Sequence, residues 1–84
     1  MLVTTGSITT AERLVRALDR SAGVRARVIH TPADIKKGGC SYAVRFDESD
    51  ADMVRATVRQ YGLPVRKYYR ESISQGRYLY HAVS

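Results

Sequence analysis

Cysteine occurs once in these 84 residues, at position 40; tryptophan never occurs, phenylalanine once and proline twice. A single cysteine excludes an internal disulfide framework and a cysteine-based zinc site, which needs several closely spaced ligands, and it suits a reducing cytoplasm. The two histidines, His30 and His81, do not complete a metal set. No apolar run approaches membrane-spanning length. The amino-terminal residues hold no basic segment followed by a long apolar one, so no signal peptide is expected. Acidic residues are also few, 8 against 14 Lys+Arg, for a net charge of +6. Such an excess means either a well-solvated surface or an acidic partner, nucleic acid or protein. Catalytic sets are missing as well. Gly38-Gly39 is not surrounded by a phosphate-loop pattern, and no dyad or triad assembles around His30 or Asp34. A carrier or binding protein without a cofactor is expected, rather than a stand-alone enzyme.

What is present is enough for one small folded domain. Hydrophobic residues make up 44% of the chain, and they are spread along it with clear periods. Met1 to Thr5 reads as a strand ended by Gly6. Thr9 with Glu12 reads as a capping box, and Ala11, Leu14, Val15, Leu18 and Ala22 give the helical stripe that follows, stopped at Gly23. Val24 to Ile29 alternates with period two and forms a second strand with a basic face. His30-Thr31-Pro32 opens a connection to Gly39, with a turn of helix at Ala33 to Lys37. Cys40 to Phe46 alternates again as a third strand. Asp47 or Ser49 caps a second helix with Ala51, Val54, Val58 and Tyr61 as its stripe, ended by Gly62 and Pro64. Val65 to Arg70 is a fourth strand. Ser74-Gln75-Gly76 reads as a turn and Arg77 to Val83 as a fifth strand, paired as a hairpin or with another subunit.

The order β-α-β-β-α-β is the ferredoxin-like pattern, an α+β sandwich with an antiparallel sheet ordered 4-1-3-2 and two helices on one face. Residues 1–70 would form this domain and 71–84 a C-terminal extension. That topology has a chemical implication. The turn Thr5-Gly6-Ser7, the end of the second strand at His30 and the start of the third at Cys40 fall on one edge of the sheet.

Cys40 supports two readings. Cysteine is commonly buried packing, and strand parity puts Cys40 on one face with Tyr42, Val44 and Phe46, under the helices. Against this, Lys36, Lys37, Gly38 and Gly39 make a flexible, cationic approach of the kind that serves a working thiolate, with Ser41 following. A helix amino terminus at the same edge would favour an anionic sulfur further. A separate reading takes Arg25, Arg27, Arg45, Arg66 and Arg70, with Tyr68 and Tyr69, as a face for RNA or another polyanion. RNA is the weaker partner, because the aromatic platform of RNA-recognition domains is missing. Aligned on Phe46, Ser41 and Ala43 occupy its two stacking positions.

Taken together, Val3-Thr4-Thr5-Gly6-Ser7, Ile29-His30-Thr31-Pro32, Cys40 and Val44-Arg45-Phe46 are similar to the motifs of a bacterial family of selenium/sulfur carrier protein-like domains. The likeness covers roughly residues 2 to 70. The sequence departs from the family where Ser41 follows the cysteine in place of glycine, the glycines here preceding the sulfur. The resemblance implies that Cys40 accepts sulfur or selenium as a persulfide or selenopersulfide. The donor would be a protein such as a cysteine desulfurase and the recipient an acceptor enzyme. Thr5, Gly6, Ser7, His30, Lys36, Lys37, Gly38, Gly39 and Ser41 would surround the sulfur. A regulatory or assembly module, dimeric through a strand edge or the tyrosine-rich tail, is the remaining alternative.

Overall fold

A computed structural model describes residues 1–36 and 38–83. Five strands, β1 (Leu2–Thr5), β2 (Ala26–His30), β3 (Tyr42–Phe46), β4 (Val65–Ser74) and β5 (Arg77–Val83), form one antiparallel sheet in the order β2-β3-β1-β4-β5. Helices α1 (Ile8–Ala22) and α2 (Ala51–Tyr61) complete an α+β fold. The first four strands lie in the expected order 4-1-3-2, and β5 lengthens the sheet beside β4. All four residues of β1 are buried at its centre.

Both helices cover one face. Ala11, Leu14 and Leu18 of α1 and Val54 of α2 pack on Val3, Val44 and Phe46, with Val24 and Leu63 closing the ends. Each fully buried leucine or valine stabilises the fold by about 1.5–3 kcal/mol over an exposed one. The opposite face holds a smaller cluster of Leu2, Ala43 and Tyr69, roofed by Ile35 from the β2–β3 connection and bordered by Ile29 and Tyr80.

Several local expectations shift. The cap of α1 is Ser7, not Thr9. The Ser7 backbone is extended, its Oγ accepts from the Thr10 amide at 3.1 Å, and it donates to the Thr10 hydroxyl at 3.0 Å. The box therefore closes on threonine, and Glu12 lies exposed one turn further in. At the other end Gly23 takes the left-handed φ of 62° and Val24 donates to the Leu18 carbonyl. Val24 is thereby the apolar plug of the helix terminus, and β2 starts only at Ala26. Asp47 caps a short 3-10 turn over Glu48–Asp50 by accepting from the Ser49 amide and hydroxyl, both at 3.0 Å, so Ser49 is the donor to the cap. On α2, Thr57 is buried where Tyr61 was expected. Tyr61 lies 45% exposed, its hydroxyl 2.6 Å from Ser21 Oγ.

β4 runs four residues past Arg70 and turns at Gln75-Gly76, whose φ values of 51° and 74° make a two-residue hairpin turn of the type that matches strand twist. Between β1 and β4 the register shifts, Val3 facing Tyr68 but Thr5 facing Val65. Thr4 Oγ1 fills the irregularity by accepting from the Lys67 amide at 3.2 Å. No helix among the described residues is long and apolar enough to cross a membrane.

Candidate functional site

The carboxyl end of β1 organises one edge of the sheet. Thr5 stands opposite Tyr42 on one side and Val65 on the other. Its hydroxyl lies 2.9 Å from the Ser7 carbonyl and 3.4 Å from that of Tyr42, both of which accept from it. This ties the Gly6-Ser7 turn, and with it the start of α1, to the first residue of β3. On the far side of β3, His30 faces Tyr42, their rings 5.3 Å apart at 34°. The Thr31 amide then donates to the Ser41 carbonyl at 3.0 Å, one step beyond the ladder.

Cys40 lies just outside that ladder. β3 begins at Tyr42, because the Ser41 amide turns back to the Gly39 carbonyl at 2.9 Å and strand pairing cannot extend further. The parity that would put the sulfur under the helices with Tyr42 and Val44 therefore does not apply to residue 40. Cys40 and Ser41 are partly exposed. Gly38 has a left-handed φ of 56°, which favours glycine, and a Cβ built on Gly39 would meet nothing within 4 Å. Gly38 and Gly39, the two residues before Cys40, are themselves exposed. Lys36 is exposed, its amide bonded with that of Ile35 to the Pro32 carbonyl, so a single turn forms at residues 33–35. Lys37, the last residue of the expected helical turn, is outside the described residues.

Thr31 bears on this edge too. Its residue is 6% exposed and its Oγ1 is buried without a hydrogen-bond partner among the described residues. On the Val65 side, the Arg66 guanidinium comes within 3.1 Å of where a Cβ on Gly6 would sit, and a cleft is lined by Gly6, Ser7, Thr10, Pro64 and Arg66. The alternation of β4 groups Arg66 with the other strand arginines. The signal for its actual place is Pro64, which starts β4 beside the end of β1.

The five arginines of the expected basic face do not gather into one face, and Arg25 precedes β2 rather than lying in it. Arg27 and Arg45 are cross-strand neighbours, and Arg25 lines the same shallow cleft. Arg45 is committed within the fold: its Nη2 and Nε donate to the two carboxylate oxygens of Glu71 at 2.7 and 3.2 Å. That bidentate bond raises the Arg45 pKa, against the cost of burial. Arg70 leaves the sheet on the other side and pairs with Glu48 at 3.3 Å, while Arg66 is at the Gly6 edge. Among the described residues no group of three or more His, Cys, Asp or Glu side chains is placed to hold a metal.

Comparison with known proteins gives a single result that bears on this site. Neither the curated proteins nor the solved structures contain a match to the chain. The family model described as "Putative Se/S carrier protein-like" matches residues 1–70, a span from β1 into β4 that includes the whole Cys40 edge, and the chain belongs to that family.

Proposed function

We propose that the protein carries sulfur or selenium on Cys40, on a domain of ferredoxin-like type, in the cytoplasm. The observation that carries this reading is the position of the sole cysteine. It stands outside the β3 ladder, partly exposed, behind two glycines, at the edge where Thr5, Gly6, Ser7 and His30 converge. Family membership supplies the cargo, and the accessible position supports the chemistry.

The Cys40 thiolate attacks the outer sulfur of a donor persulfide. The new Cys40 S–S bond forms as the donor's S–S bond breaks, and the donor sulfur leaves as a thiolate, so no external oxidant or reductant is consumed. An acceptor thiolate repeats the exchange on Cys40's outer sulfur, and selenium would travel as the corresponding selenopersulfide. The donor, of the cysteine desulfurase kind, keeps its own cofactor, and the carrier needs only an approachable sulfur and a docking surface. Lys36, Gly38, Gly39 and Ser41 frame the approach, while Thr5, Gly6, Ser7 and His30 hold the ends of the neighbouring strands.

Incubation with a cysteine desulfurase and its cysteine substrate, free of reductant, is expected to add one cyanide-labile sulfur to Cys40 and none to Cys40→Ser. An unmodified Cys40, beside a known carrier labelled in the same mixture, would rule out the sulfur arm. The same outcome with a selenium donor would end the reading.

A further inference from the structure

The two edges of the sheet are built differently. The β2 edge is five residues long, carries Arg27, and is flanked by Arg25 and Pro32, the charges and proline that keep a strand edge from pairing. The β5 edge is seven residues long, has its one arginine at its first residue and has neither proline nor acidic residue, and its ladder with β4 runs unbroken from Tyr68↔Val83 to Ser74↔Arg77. Apolar side chains on this hairpin stand in water: Ile73 is 68% exposed, Tyr78 54% and Leu79 43%. The hairpin beyond Arg70 also lies outside the residues the family model matches. We infer that β5 is a self-pairing edge, at which a second copy of this chain adds its own β5 antiparallel about a two-fold axis centred on Tyr80.

The register follows from the turn. In a two-residue hairpin the flanking residues, here Ser74 and Arg77, form a hydrogen-bonded pair, and bonded pairs then recur at every second position. On β5 the residues bonded to β4 are Arg77, Leu79, His81 and Val83. The amides and carbonyls of Tyr78, Tyr80 and Ala82 therefore point away from β4, to a side where no strand of the described residues pairs.

A two-fold antiparallel pairing through those three residues has only a few registers. Centred on Tyr80, it uses the entire strand, with Tyr78 opposite Ala82, Leu79 opposite His81 and Arg77 opposite Val83. Sliding the centre to Leu79 leaves Ala82 and Val83 without a facing residue, and sliding it to His81 leaves Arg77 and Tyr78 without one. The Tyr80 register is thus the longest. It also sets the large Tyr78 against the small Ala82 and brings a strand alongside the exposed Tyr78 and Leu79.

Because the Ala82 amide points away from β4, Ala82→Pro blocks the outer edge while leaving the β4–β5 bonds in place. Sedimentation equilibrium up to millimolar protein is expected to give a reversible doubling of mass for the native chain. The same measurement is expected to give the single-chain mass for Ala82→Pro, with an unchanged thermal transition. In a Cys40→Ser background, Leu79→Cys with His81→Cys places cysteines at facing non-hydrogen-bonded positions about 4.5 Å apart, close enough to oxidise into a covalent dimer. A native chain monomeric throughout, an Ala82→Pro chain that still dimerises, or cysteines that do not cross-link under native conditions would each overturn the inference. None of these outcomes depends on what Cys40 carries.

Discussion

Among the described residues, Thr31 is the buried side chain whose polar atom lacks a hydrogen-bond partner. A buried hydroxyl without a partner costs about 1–3 kcal/mol, whereas its apolar counterpart of similar shape costs nothing of that kind. Thr31→Val is therefore expected to raise stability by about 1 kcal/mol, read from the midpoint of urea unfolding. A lowered midpoint would mean that the hydroxyl is bonded in solution. Cys40 is the contrasting case, a partly exposed residue preceded by two exposed glycines. Cys40 itself is partly exposed, and the backbone turn from Ser41 to Gly39 keeps it out of the strand. The strand after it was legible from the chain, but the point at which that strand starts was not. Strand parity assumes a ladder, and the ladder stops two residues short of Cys40.

Among the elements, β4 and α2 meet through Tyr68, whose ring lies 4.1 Å below the Arg55 guanidinium. Burial raises the Tyr68 pKa, and the nearby Arg55 charge pulls it back only in part. Tyr80 on β5 is raised as well, first by burial and then by the Glu71 charge. A tyrosine whose folded pKa lies above its unfolded one contributes stability below the unfolded value and loses it as pH rises. Unfolding free energy is thus expected to fall above a pH of about 10. Tyr68→Phe keeps the ring under Arg55 and should flatten that fall, as measured by denaturant titration at stepped alkaline pH. Element identity was readable from periodicity, as in the helical spacing of Ala11, Leu14 and Leu18, and sheet order followed from the β-α-β-β-α-β sequence of elements with right-handed crossovers. The ends of elements were harder. Ser7 outranks Thr9 as a cap because it is extended and placed to receive the Thr10 amide. Val24 continues the β2 alternation in sequence yet belongs to the end of α1, since Gly23 reverses the chain between them.

At the scale of the whole molecule, Glu71 joins the β3 side of the sheet to the hairpin. Its carboxylate holds Arg45 with both oxygens, and the same guanidinium lies 5.9 Å from the Tyr78 ring. Glu71→Gln removes the charge that Arg45 faces in a partly buried setting. A loss of about 1–2 kcal/mol in unfolding free energy is expected, together with faster amide exchange in β5. An unchanged exchange pattern would show that the hairpin is held by its own ladder alone. The central place of β1 also governs how the chain assembles as it is synthesised. The earliest of the five strands is the central one, enclosed by β3 and β4, with Leu2 set beside Arg45 and Tyr69. While α1 and the β4–β5 hairpin can close between near neighbours in sequence, β1 must stay unpaired until β3 and then β4 leave the ribosome. Loop closure across most of the chain is thus expected to limit folding, and the newborn protein keeps its most fully buried strand unshielded longest.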